Sequence, residues 1–168
     1  MLSKNRINMF WFTVLIVLSI FFGLDDVDAG QYKSYPNCCI KEISNFKMYC
    51  DEIFQIVGNK MGLKVNERMP KPTILTDDQL TLQQFRSYLG WDVKEILPYY
   101  FHKNNILVIP GYCKLDSLVH EFVHYFQVMY RNENWDANCD PYKFNLEVEA
   151  MAIQRWFKAK FMRPRLPQ

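Results

Sequence analysis

One run constrains this chain more than any other: Leu118-Val119-His120-Glu121-Phe122-Val123-His124-Tyr125-Phe126-Gln127. It reads as an apolar helix carrying His-Glu-x-x-His. Two His at i and i+4 stand one turn apart on the same helix face, so both imidazoles can reach one ion. Glu121, one residue past the first His, falls beside the position such an ion leaves open, where a carboxylate can take a proton from water. The chain has 3 His in all, which makes two of them at this spacing informative. The competing reading is a pair of packed helix histidines in a chance motif.

A metal site of this kind needs a third protein ligand, and the sequence offers it downstream. After a polar loop over 131–139, Asp140-Pro141 pairs a favoured N-cap with a favoured first helical residue, and so predicts a new helix. Its second turn carries Glu147 and Glu149. Residues two apart on a helix point to nearly opposite sides, so the two cannot both be ligands. Chemistry alone does not choose between them.

Together the two segments resemble the gluzincin type of zinc metallopeptidase, whose third ligand is a Glu on a helix downstream of His-Glu-x-x-His. They are more closely similar to small secreted zincin-like domains with His-Glu-x-x-His-x-x-Gln, then Glu-x-Glu-Ala and a Gln. This chain has His120, Glu121, His124 and Gln127, then Glu147, Glu149, Ala150 and Gln154. In gluzincin-type patterns a small residue commonly follows the ligand Glu by three positions, as Ala150 follows Glu147. The resemblance therefore implies His120, His124 and Glu147 around one Zn2+ with Glu121 as base, and leaves Glu149 to support or to packing. Many gluzincins place an Asp four residues after the ligand Glu, where this chain has Met151. The resemblance spans roughly residues 105–157.

At the other end, Lys4 and Arg6 precede an apolar run from Met9 to Leu24, and Val27-Asp28-Ala29 ends in a small residue before Gly30. This is the pattern of a secretory signal peptide over 1–29, the run being short for a membrane span. Retention as an N-terminal anchor is the alternative. The remainder, 139 residues (168 minus 29), suits one domain over 30–168. The expected location is secreted or periplasmic, with no stable membrane association once the signal is cleaved. Without Lys4, Arg6, Asp25, Asp26 and Asp28 the formal charge moves from +2 to +3, too mild to point to nucleic acid. The basic end from Lys158 to Arg165 reads as a helix C-terminus complementing the dipole.

The 5 Cys all lie in the exported part. Export permits disulfides, and an odd number leaves one thiol over. Cys38 or Cys39 with Cys50 would staple the N-terminal segment, and Cys113 with Cys139 would bracket the His-bearing helix. None is spaced as Cys-x-x-Cys, which argues against a thiolate-ligated metal.

Between these ends, Ile43, Phe46, Cys50, Ile53, Phe54, Val57 and Met61 recur at steps of three and four and predict a core helix over 41–61, ended by Gly62. Thr73-Ile74-Leu75 predicts a short strand. Thr76-Asp77-Asp78-Gln79 has capping-box form and predicts a helix to about Leu89, stopped by Gly90. Asn105 to Ile109 predicts a strand just upstream of the His helix. Zincin-type enzymes place an edge strand there, to which an extended peptide can add; an ordinary buried strand is the alternative. Tyr99, Tyr100 and His102 lie just before it, any of them able to face a developing oxyanion, in a chain that is 16% aromatic throughout.

The expectation is a compact α+β, zincin-like domain with 3–4 helices, a small β-sheet and a metal between the last two long helices. Its expected activity is zinc-dependent hydrolysis of a peptide or protein substrate. Two alternatives are a zincin-fold binding protein without turnover and a disulfide-stapled secreted interaction domain without metal.

Overall fold

The computed structural model describes residues 34–66, 68–132 and 141–162, with side chains of the last segment from Asn145 onward. The signal-peptide reading, Cys139, the Asp140 cap and Arg163 to Arg165 lie outside the described residues. Four helices and a three-stranded mixed sheet form the described part: α1 (Phe46–Lys60), β1 (Thr73–Leu75), α2 (Leu82–Leu89), β2 (Tyr99–Phe101), β3 (Ile106–Val108), α3 (Leu115–Arg131) and α4 (Pro141–Phe161). The α+β class holds.

α1 starts later than its periodicity implies. Ile40–Glu42 form a separate 3-10 turn, with Ile43 extended after it. The cause is tertiary. The amides of Ile40 and Lys41 donate to the carbonyls of Cys113 and Gly111, pinning the turn to the segment that leads into α3. α1 then ends at Met61 with Gly62 at φ +77, the left-handed conformation a Gly adopts without strain.

The capping box also shifts. Thr76 and Gln79 do make the local hydrogen bond from Thr76 N–H to Gln79 Oε1 (3.1 Å), but as a turn. Between them, Asp77 accepts the Gly111 amide at 2.9 Å, which holds the turn against the loop before α3. The helix begins at the next Thr-x-x-Gln, where Thr81 and Gln84 cap each other reciprocally. Gly90, in the left-handed region, ends α2 as expected.

The sheet order is β1-β3-β2, with β1 parallel and β2 antiparallel to β3. β3 is thus the central strand. Both its edges are paired, which removes it as an edge for an added peptide. The edge nearest α3 belongs to β2.

Packing centres on Phe54 of α1, which meets Phe122, Tyr125 and Phe126 of α3 at 5.3, 5.6 and 4.7 Å between ring centroids. Each such fully buried side chain contributes roughly 1.5–3 kcal/mol. Gly58 makes room for the Val65 side chain, with which a Cβ there would clash, and for the Phe126 ring of α3, which that Cβ would meet at 2.9 Å. α4 lays Ala150, Ile153 and Phe157, spaced by three and four, into the same core against α3, with Leu146 buried one turn before Ala150. Leu80, Phe85, Phe101 and Val108 make a smaller satellite core under α2. Among the described residues Cys38, Cys39, Cys50 and Cys113 are free thiols, so no disulfide staples Cys50 to Cys38 or Cys39. Among them, too, no helix is long and apolar enough to cross a membrane.

Candidate metal centre

α3 is covered on most of its circumference: every residue from Glu121 to Gln127 is buried. The apolar ones face α1 and the sheet, which forces the polar ones into the seam with α4. There His120 and His124 meet edge to face with ring centroids 4.7 Å apart and their Nε2 atoms 3.0 Å apart. From α4, Glu147 places Oε2 3.2 Å from His120 Nε2 and Oε1 3.2 Å from His124 Nε2. The three donors lie within 4.8 Å of one another and form the group among the described residues able to hold a metal ion. His124 is 3% exposed and Glu147 45%, so the cluster is closed towards the core and open on the α4 side.

These donors fit a zinc-type ion. Two imidazoles and a carboxylate are the right chemistry, and a tetrahedral ion about 2.0–2.1 Å from each donor holds them about 3.3 Å apart, close to the 3.0 and 3.2 Å observed. Glu149, two residues on, points elsewhere. Its carboxylate accepts from Arg131 Nη1 at 2.8 Å and from Gln127 Nε2 at 3.0 Å. The choice left open between the two glutamates thus falls geometrically on Glu147 as the one beside both His.

The rings are held from behind. His124 Nδ1 lies 2.9 Å from Gln127 Oε1, and Gln127 Nε2 donates to the Leu146 carbonyl at 3.1 Å. His120 Nδ1 lies 3.3 Å from Gln154 Oε1, and Gln154 Nε2 donates to Asp116 at 3.4 Å. Asp116 is buried, with Lys158 Nζ 3.5 Å away. No buried side-chain nitrogen or oxygen among the described residues lacks a hydrogen-bond partner.

The electrostatics without a metal follow from this crowding. Burial pushes the His120 imidazole down, but its hydrogen bond to Glu147, the charges of Glu121 and Glu147, and Gln154 carry it above its ordinary value. Hydrogen bonds from His120 and His124 outweigh burial at Glu147 and hold its carboxyl well below the usual range. Glu121 is buried beside the pair. Burial raises its pKa, opposed by the charges of His124 and His120 and by a hydrogen bond from the Tyr100 backbone N–H.

The three aromatic candidates lie on β2 and in the turn after it. Tyr100 is buried, packs edge-on against Tyr125 at 5.5 Å and donates its hydroxyl to Asn105. Tyr99 lies against Phe101 at 4.7 Å, beside the satellite core. His102 sits half-buried in the turn between β2 and β3. What β2 brings to Glu121 is main chain, not a side chain.

Sequence reasoning named Gln127 and Gln154 without giving them a task, and passed over Asp116 and Arg131. Helical spacing was the available signal: Asp116 is one turn before His120, and Gln127 one turn after His124. A cavity of about 530 Å³ lies on the other side of α3, lined by Phe46, Cys50, Phe54, Ile74 and Phe122 among others, and no donor of the cluster lines it. No family model, curated protein or solved structure matches this chain, so the site rests on its own geometry.

Proposed function

We propose that the chain is a zinc-dependent metallopeptidase acting outside the cytoplasm. The observation that carries this reading is the convergence of His120 Nε2, His124 Nε2 and the Glu147 carboxylate, each ring's other nitrogen being engaged by an amide oxygen. Groups brought this close need a proton or a cation between them, and a single metal ion can serve all three at once.

His120, His124 and Glu147 would hold the ion. When bound, Zn2+ supplies Lewis acidity, polarising a substrate carbonyl and making water nucleophilic near neutral pH. Glu121 takes the proton of the attacking water and returns it to the departing amine, so the C–N bond breaks as the proton arrives. Its burial and the Tyr100 amide fix the carboxylate's orientation for this transfer. A peptide or protein substrate would reach the cluster from its open side, where Glu147 is exposed.

Glu121→Gln tests the reading. It should leave zinc bound and remove peptide hydrolysis, measured on a peptide library. Undiminished hydrolysis in that variant, or none in a zinc-loaded wild type, would overturn the assignment of a peptidase.

A further inference from the structure

We infer that Gln154 and Gln127 are positioning residues that fix both histidines as the Nδ1–H tautomer, each amide being locked in orientation by an acceptor on its far side. The inference rests on the metal-centre reading proposed above and adds to it how the two rings are prepared.

A neutral imidazole carries its proton on either nitrogen, and a glutamine amide presents either its oxygen or its NH2. Both ambiguities are resolved here by the groups at the outer end of each link. Gln154 faces Asp116 Oδ2 at 3.4 Å, and a carboxylate only accepts. The NH2 must therefore point to Asp116 and the oxygen to His120. An amide oxygen also only accepts, so His120 Nδ1 carries a hydrogen. Nε2 faces the Glu147 carboxylate at 3.2 Å, and with an ion between those two it is the Nε2 lone pair that faces the ion. The second link repeats this. Gln127 Nε2 faces the Leu146 carbonyl at 3.1 Å and Glu149 Oε2 at 3.0 Å, both acceptors, which leaves Oε1 for His124 Nδ1 at 2.9 Å.

The outer carboxylates are themselves balanced, Asp116 by Lys158 at 3.5 Å and Glu149 by Arg131 at 2.8 Å. The result is a pair of matched links running base, acid, amide, imidazole. Amides in the inner position keep formal charge away from the rings, so Glu121 and Glu147 are the two carboxylates closest to a dication.

The test uses the full-length chain with 15N-labelled histidine. Long-range 1H–15N correlation in the zinc-loaded protein reads which ring nitrogen carries hydrogen. His120 and His124 should both carry it on Nδ1. Gln154→Leu should shift the His120 Nδ1–H resonance, leave that of His124 unchanged, and weaken zinc binding about 10–100-fold. Gln154→Glu alone sets two carboxylates against each other and should not restore the affinity. The reversed pair Asp116→Asn with Gln154→Glu should restore it. Hydrogen on Nε2 of either ring in the zinc-loaded wild type overturns the inference, whether or not Gln154→Leu folds. So do an unmoved resonance and affinity in a folded Gln154→Leu. A folded wild type that binds no zinc overturns the metal centre, and the inference with it.

Discussion

On one side of α3, Phe122, Tyr125 and Phe126 close around Phe54 with ring centroids 4.7–5.6 Å apart. On the other, His120, His124 and Gln127 meet α4 through links of 3.0–3.3 Å to Gln154, Glu147, Glu149 and the Leu146 carbonyl. The first face is held by area removed from water, which is non-directional and tolerates a swap of similar volume. The second is held by directed bonds in which each group fixes the next, and replacing one leaves its neighbour without a match. One helix thus carries two kinds of contact: its aromatic face packs by area, and its polar face by directed bonds.

The comparison predicts different losses on the two sides. Glu121→Gln should reduce peptide hydrolysis by about 10²–10⁴-fold, the range removed with a general base, while zinc content and melting temperature stay close to wild type. A parallel loss of stability would show that Glu121 serves packing rather than chemistry. On the opposite face, Phe54→Ala should cost about 3–5 kcal/mol of unfolding free energy, read by denaturant titration. The folded fraction should keep its zinc affinity, and a tenfold weaker site in that fraction would mean the faces are coupled. In the satellite layer, Thr81→Ala removes one side of the capping box and should cost about 1 kcal/mol with no change at the metal.

The smallest effect is a pH window. Without metal, His120 has a pKa above its ordinary value, so its contribution to stability is complete below about 6.5 and is lost as pH rises through the raised value. Glu147 has a depressed one, so its contribution is complete above about 4.3 and is lost as pH falls towards that depressed value. The chelated protein should therefore gain most from this pair between those limits. With zinc bound the gain should instead rise with pH through His deprotonation, because protons compete with the ion. Calorimetry with and without chelator separates the two, and identical profiles would contradict an ion at this pair.

The His helix, the helix after Asp140-Pro141, the strand at Thr73–Leu75 and the stop at Gly90 were legible because each is written locally, in periodicity, caps or breakers. The start of α1 was not, since the amides that end its periodicity early are used by Gly111 and Cys113, far along the chain. Nor was the capping box, because Thr76-x-x-Gln79 and Thr81-x-x-Gln84 are locally alike and the Asp77 bond to Gly111 decides between them. β3 looked like a possible edge because strand order is a property of pairing, not of composition. At the site, spacing along α3 placed His120, Glu121 and His124. Which glutamate joins them depended on how α4 rotates against α3, and the roles of Gln127, Gln154 and Asp116 on contacts across that seam.

The most direct measurement is the zinc content of the purified, folded full-length chain beside His120→Ala, by elemental analysis after dialysis against trace zinc. One zinc per chain, lost in His120→Ala while that variant remains folded, is the predicted result. No zinc in either folded protein, with zinc supplied, would contradict the metal centre and return the α3–α4 seam to a purely structural role.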